Sequence, residues 1–429
     1  MKNRSNNRSI CRLFRWLPLQ IAFASLLITG SAAARPGADF TDLPVVSGSG
    51  SAEPNLSKGP GGTIVLSWLE PKGESTRLLY SQLGVDGWGE PHTVSEGDSW
   101  FVNWADFPSV LPVSETLWAA HWLRKRPGGS YAYDVALSLS SDGGETWGDA
   151  ITPHRDNTAT EHGFVSLFPS SDGVGLIWLD GRNTSEAGGD HEHSEEHGSG
   201  GMTLRHALVS ADGTISEEAE LDDLVCDCCQ TSVALAKEGP VVVYRNRTEE
   251  EIRDIYISRF INGKWQAGHP VNKDGWKISG CPVNGPAVAA QGDAVAVAWF
   301  TMAEDIPRVR FARSSDGGQT FTTAIDIDDV APSGRVDLVL LENGNAAISW
   351  LDEGENGQGA IRVQLMHPNG SILAVHTIAT TELNRPAGFP QLQSDGNSLI
   401  VAWTDSSEEA SRVKSMRIRL AATNLHSTD

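Results

Sequence analysis

Positive charge is what this sequence lacks most: 33 Lys and Arg stand against 55 Asp and Glu, for a formal charge of −22. So acidic a chain repels polyanions, which excludes nucleic acid and anionic membrane surfaces as partners. An anionic small molecule would need a local cluster of arginines working against that field. Long apolar runs are missing apart from one near the start, so no later segment can span a bilayer as a helix. Cysteine is scarce, five in 429 residues, too few for a scaffold built mainly from disulfides. Helical periodicity is absent as well. Apolar runs are short and lie between turns rich in Gly, Asn and Asp, which points to an all-β chain.

The one longer apolar run is Trp16 to Gly30. It follows a basic stretch holding Lys2, Arg4, Arg8, Arg12 and Arg15, and precedes the small residues Ser31 to Ala34. This is the pattern of a secretory signal peptide spanning 1–34, with an uncleaved anchor as the alternative. The expectation is an exported protein, periplasmic or extracellular, whose functional part is a single domain over 35–429. Losing those five bases takes the formal charge from −22 to −27.

What is present is a repeat. Apolar strands ending in an aromatic recur at Thr63 to Trp68, Thr116 to Trp122, Gly173 to Trp178, Pro240 to Tyr244, Ala294 to Trp299, Asn345 to Trp350 and Ser398 to Trp403. The aromatic ends fall 54, 56, 66, 55, 51 and 53 residues apart, and the wide interval holds a polar insert at Asn183 to Gly201. A period near 55 residues with about four strands per unit predicts a β-propeller of four-stranded blades. Seven units are counted, with six as the alternative if one is irregular. The last unit stops after its third strand, Arg412 to Leu420, so a strand near Leu43 to Ser47 is expected to complete it and close the ring.

Two segments punctuate the repeat in phase. Ser140-Ser141-Asp142-Gly143-Gly144-Glu145-Thr146-Trp147 reads S-x-D-x-G-x-T-W, and Ser314 to Phe321 repeats it with Phe for Trp. Asp142 and Asp316 can accept hydrogen bonds from their own turns, the glycines supply positive φ, and Trp147 and Phe321 pack between strands. These are folding devices and not catalytic acids.

If such a turn joins the third strand to the fourth, the opposite face carries the loops after the second strands and the segments leading into the first strands. The former contribute Asp180, Arg182, Arg245, Arg247 and Asp352. The latter contribute Asp106, His162, Cys228, Cys229, Cys281, Asn284, Arg335, Asp337 and Arg385. Guanidinium forks suit carboxylates, so Arg182, Arg245, Arg247, Arg335 and Arg385, with Asp180 and Asp352, are candidates for binding a small anionic or glycan ligand.

The cysteine segment is more distinctive. Cys226, Cys228 and Cys229 sit in Val225-Cys226-Asp227-Cys228-Cys229-Gln230-Thr231, and Cys281 sits in Gly280-Cys281-Pro282-Val283-Asn284-Gly285-Pro286. Both segments open the first strands of adjacent blades, so Cys228 or Cys229 should lie within reach of Cys281. Two readings stand side by side: disulfides, with Cys226–Cys229 a feasible pair, or a thiolate site for copper or zinc. His191, His193 and His197 in the insert offer further metal ligands, and Met202 follows them.

The two eight-residue turns resemble the Asp box of the sialidase superfamily. The Cys-Asp-Cys-Cys and Gly-Cys-Pro-Val-Asn-Gly-Pro segments resemble those of bacterial exported proteins with Asp-box repeats. The resemblance covers most of the chain after residue 34 and implies the propeller fold. It also implies, as a possible activity, exo-glycosidase action of the sialidase type, with three arginines on a substrate carboxylate and a Tyr nucleophile paired with a Glu. Arg245, Arg335 and Arg385 could stand for that triad. The family's Phe-Arg-Ile-Pro motif is absent, and Tyr244 occupies the slot that Trp fills in other blades, where it is expected to pack. Three functions stay open on this reading: a glycan or anion binder that is also a glycosidase, a non-enzymatic handler of copper or zinc, and a scaffold for a protein partner.

Overall fold

The computed structural model describes residues 38–184, 201–328, 330–354, 357–407 and 409–420. The stretch 1–34, expected to be a signal peptide, and His191, His193 and His197 lie outside them. Gly37–Asp429 forms one compact unit. It is all β, with a few single-turn 3₁₀ segments.

Seven antiparallel sheets make seven blades of a β-propeller, as the repeat predicts. Their second strands are Ile64–Lys72, Trp118–Lys125, Gly173–Asp180, Pro240–Arg245, Ala294–Thr301, Ala346–Glu353 and Ser398–Asp405. Each runs one to four residues past its aromatic. These strands carry near-continuous apolar runs because both faces are covered by neighbouring blades. Gly173–Asp180 and Ser398–Asp405 are buried at every residue. Seven hydrophobic clusters fill the seven gaps between blades, one to each gap.

The first strands line the axis. Ala52–Lys58, Ser109–Pro112, His162–Ser170, Ser232–Leu235, Ala287–Gln291, Pro332–Leu340 and Gln391–Ser394 contact one another in turn around a channel of about 270 Å³. Short polar side chains stitch them together. Ser166 Oγ lies 2.8 Å from Thr231 Oγ1, Val288 N–H donates to Ser232 Oγ at 3.1 Å, and Asn55 Nδ2 donates to Gln391 Oε1 at 3.2 Å.

The ring closes as expected, by an N-terminal strand, but five residues earlier than the sequence suggests. Ala38–Asp42 pairs antiparallel with Arg412–Leu420 as the outer strand of the seventh blade. Leu43 to Ser47 forms the link inward, held by Leu43 N–H to Ser415 O at 3.0 Å and Ser47 Oγ to Val413 O at 3.2 Å. The reason is packing: Phe40 meets the His376 ring edge-on at 5.4 Å and joins the cluster between blades six and seven. Blade four has two short strands, Lys264–Trp265 and His269–Pro270, in its outer position, and blade two is irregular as well. Its outer position is held by a single bridge, Leu137 to Ile151, beside the first Asp box.

Both Asp boxes follow a third strand, Tyr133–Ser140 and Arg308–Ser314, and share one geometry. Thr146 N–H and Oγ1 donate to the two oxygens of Asp142 at 2.9 and 2.6 Å, and Thr320 repeats both bonds to Asp316 at the same distances. Hydrogen bonds from Thr146 hold the Asp142 carboxyl down at about 2. Asp316 is held equally low, its bonds to Ser314 and Thr320 outweighing burial. Gly144 has φ of 95°, and a Cβ there would sit 2.5 Å from Tyr80 Oη, so only glycine fits. These carboxylates are spent on their own turns.

Candidate metal centre

Antiparallel order puts the Asp boxes on one face, and puts the ends of second strands and the starts of first strands on the other. Cys226 follows the outer strand of blade three, Ile215–Val225, and its N–H bonds to Arg245 O at 3.0 Å where the second strand of blade four ends. The Gly-Cys-Pro-Val-Asn-Gly-Pro segment lies directly against it. Gly285 N–H donates to Gln230 Oε1 at 2.9 Å, and a Cβ on Gly285 would fall 2.2 Å from Gln230 O. The two cysteine segments are therefore packed backbone to backbone, which is why one needs a glycine there.

This packing gathers the four cysteines. Cys226 Sγ stands 2.7 Å from Cys229 Sγ and 3.9 Å from Cys228 Sγ. One ligand atom from each of these three residues lies within 4.8 Å of the others. Cys281 stands on the adjoining segment as a neighbour of Cys228, outside this group of three. All four thiols are free, with Cys226 and Cys229 buried, Cys228 half-buried and Cys281 exposed.

Positive charge underlies the cluster. Arg253 is fully buried and directs Nη1 at Cys226 Sγ at 3.5 Å, while Glu251 holds it at 2.8 Å. Arg247 bonds the same Glu251 at 2.6 Å and pairs with Asp227 at 3.3 Å. Burial opposes ionisation of Cys226. Hydrogen bonds from Cys228 and Cys229, with the charges of Arg253 and Arg245, overcome it and hold that thiol well below its ordinary value. Cys228 and Cys229 are pushed up, the first chiefly by its thiol neighbours and the second chiefly by burial. Three sulfurs over an arginine are a soft-ligand set.

The predicted arginines do not converge. Arg245 donates to Asn284 O at 2.8 Å, Phe300 O at 2.7 Å and Arg253 O at 2.7 Å, and lies 4.8 Å over the Trp276 ring. Arg335 donates to Gly388 O at 2.8 Å and Asn384 O at 3.1 Å over the Trp104 ring, and burial pulls its guanidinium down to about 10. Arg182 is held by Asp180 at 2.8 and 2.7 Å and by Glu218 at 3.2 Å. Asp352 accepts from Arg362 at 3.0 Å. Arg385 is exposed at the start of the short turn Arg385–Ala387. Tyr244 packs as expected and donates to Asp222 at 2.5 Å.

Two further constellations lie on this face that sequence reading did not find. Tyr133 donates to Glu161 at 2.6 Å, a Tyr–Glu pair, yet Tyr133 is fully buried and stacks on Phe101 at 4.0 Å. Burial pushes Glu161 up to about 7. The second is a pair of buried imidazoles, His154 and His162, stacked at 3.8 Å with planes 3° apart. Asp156 bridges them, with one oxygen 3.0 Å from His154 Nδ1 and the other 3.1 Å from His162 Nε2. Asp134 and Asp180 approach at 3.7 and 3.8 Å. Imidazole lone pairs lie in the ring plane, so parallel stacked rings cannot both aim at one ion. Arg182 already neutralises Asp180. This group is an ion-pair network, and the cysteines are the better metal set. No sequence spacing announces it, because its members come from two blades.

No protein-family model matches the chain, and no curated protein matches it. Among solved structures it is similar to an ulvan lyase, a polysaccharide lyase solved bound to -[GlcA(1-4)Rha3S]-, at 11% identity. That likeness covers 87% of this chain and 95% of the other, with a TM-score of 0.53. It is also similar to the endosialidase of phage phi92, at 9% identity over 92% of this chain and 70% of the other, with a TM-score of 0.51. The fold it shares with them is the β-propeller. At these identities the likeness speaks for the fold alone. In this propeller Arg245 and Arg335, two of the three positions the family reading singled out, bond backbone carbonyls, and the third, Arg385, is exposed. The same face brings the cysteine segments together.

Proposed function

We propose that this propeller is a non-enzymatic handler of a thiophilic metal ion, copper(I) or zinc, bound by Cys226, Cys228 and Cys229 with Cys281 as the exposed fourth ligand. The observation that carries the reading is the convergence of three free thiols, Cys226, Cys228 and Cys229, over a buried arginine, with Cys281 on the segment packed against them. A metal–thiolate bond of about 2.3 Å puts the sulfurs of a tetrahedral site about 3.8 Å apart. Cys226 and Cys228 already have that spacing at 3.9 Å, and Cys229 has to swing about 1 Å away from Cys226 to join them. Arg253 and Arg247 offset the negative charge of several thiolates. With the export signal expected over 1–34, the protein does this outside the cytoplasm.

The test is metal analysis of the reduced, full-length chain. One copper or zinc ion per chain is expected, with loss of that ion in Cys228→Ser. Reduced wild-type protein that takes up neither ion would overturn the reading.

A second reading, favoured by the acidic glycan in the ulvan lyase structure, gives the face a glycan or small anionic ligand. A cavity of about 580 Å³, lined by Asn246, Arg247 and Tyr256 together with the carboxylates of Asp222, Asp223 and Glu249, is where it would sit. Hydrolysis or binding of an acidic glycan that is lost in Arg247→Ala is its test. Absence of both removes this reading.

A further inference from the structure

The thiols are graded in exposure, and their contacts run in the same order. Cys281 is exposed, Cys228 half-buried, and Cys226 and Cys229 buried. Cys281 neighbours Cys228 across the two packed segments, Cys228 Sγ lies 3.9 Å from Cys226 Sγ, and Cys226 Sγ lies 2.7 Å from Cys229 Sγ. Neighbours Cys228 and Cys229 pair with each other only under strain. The unstrained couples are therefore an outer one, Cys228 with Cys281, and an inner one, Cys226 with Cys229. Arg253 places a buried positive charge 3.5 Å from the Cys226 sulfur that joins the two.

We propose that the four cysteines form a thiol–disulfide exchange relay, in which Cys281 reacts with an accessible disulfide and the oxidation passes through Cys228 to the buried pair Cys226 and Cys229. The substrate class is a small or surface disulfide, because only Cys281 is open to one. The Cys281 thiolate attacks a substrate sulfur, the substrate S–S bond breaks, and the departing thiolate takes up a proton. Cys228 then attacks the Cys281 sulfur of the mixed disulfide and frees the second substrate thiol. Cys226 attacks Cys228 and expels Cys281. Cys229 attacks Cys226 and expels Cys228. The substrate disulfide ends as two thiols and the inner pair as a disulfide, with two electrons and two protons transferred. The relay uses the same sulfurs as the metal centre but does not rest on metal binding, and a bound ion blocks it.

The experiment uses the reduced full chain, freed of metal by a chelator and mixed with one equivalent of 5,5′-dithiobis(2-nitrobenzoate). The expected result is release of both chromophoric thiolates in a fast phase. Peptide mapping should find Cys226 joined to Cys229 and Cys281 free again. Cys281→Ser should lose the fast phase. Cys229→Ser should keep it and stop at a Cys228–Cys281 disulfide, which also shows that a cysteine variant folds. A stable Cys228–Cys281 bond in the wild type, or an unchanged fast phase in Cys281→Ser, would overturn the relay. Metal analysis is independent: transfer without metal binding refutes only the metal centre, and metal binding without transfer refutes only the relay.

Discussion

At the residue scale, the contrast between Arg245 and Arg253 separates structure from function. Arg245 is a fastener whose donors satisfy three backbone carbonyls from three segments. Replacing it with Met strands those carbonyls in the interior, at a cost on the order of 3 kcal/mol. The expected outcome is a lower denaturation midpoint, read by urea titration. A fully stable Arg245→Met variant would contradict this role. The blade positions of Arg245, at the end of a second strand, and Arg335, near the start of a first strand, were legible in the sequence, and so was the face they occupy. Where their guanidinium groups turn was not, because carbonyl acceptors leave no mark on a side-chain pattern. The same limit hid Arg253, which belongs to the third strand's approach and not to either register class.

The stacked histidines give a pH prediction at the same scale. Burial lowers His162, but its bond to Asp156 and the charges of Asp180 and Asp156 win, so its folded value is raised. Asp156 is lowered, its bonds to His154 and His162 overcoming burial. A raised histidine contributes stability in full below its unfolded value of about 6.5 and loses it as pH climbs through the folded value. The lowered aspartate contributes above its unfolded value of about 3.9 and loses this as pH falls further. The melting-temperature gap between wild type and His162→Gln should be widest near pH 5 to 6 and shrink towards alkaline pH. A gap independent of pH would show that His162 is neutral packing.

At the element scale, the aromatic that ends each second strand was the feature that revealed the repeat, and the structure shows what it does. Trp299 donates to Asp274 at 2.7 Å and Trp350 to Asp328 at 2.9 Å, while Tyr244 donates to Asp222 on the outer strand of blade three. Each reaches a carboxylate lying outside its own blade, on the side of the blade before it. In these three blades the aromatic thus packs the gap with its ring and clamps it with its polar atom, whereas Trp68 and Trp178 donate to Glu70 and Asp180 of their own strands. Trp299→Phe keeps the ring and removes the donor, so a loss of about 1–2 kcal/mol is expected. Equal melting of variant and wild type would show that Arg310, 2.5 Å from the same Asp274, suffices alone. The cysteine segments obey a tighter constraint. Gly285→Ala should push the two segments apart, lowering both the melting temperature and the metal content. The glycine itself was visible in the sequence; its partner Gln230 was not, since the contact spans two blades.

At the scale of the whole molecule, ring closure decides solubility. Without Ala38–Asp42 the strand Arg412–Leu420 becomes an open edge able to pair with another chain. A chain lacking residues up to Asp42 should elute as oligomers in size-exclusion chromatography, where the intact chain should not. Blade number and the need for a closing strand followed from a period near 55 residues. The position of that strand did not, because Leu43 to Ser47 carries the stronger apolar signal and spends it on the link inward. The same ring brings two cysteine segments, 55 residues apart from Cys226 to Cys281, onto one patch of one face. X-ray absorption at the edge of the bound metal tests that claim most directly. The account predicts three or four sulfur neighbours at about 2.3 Å in the wild type, and no bound metal to give an edge in Cys228→Ser. A shell of nitrogen and oxygen alone would contradict it.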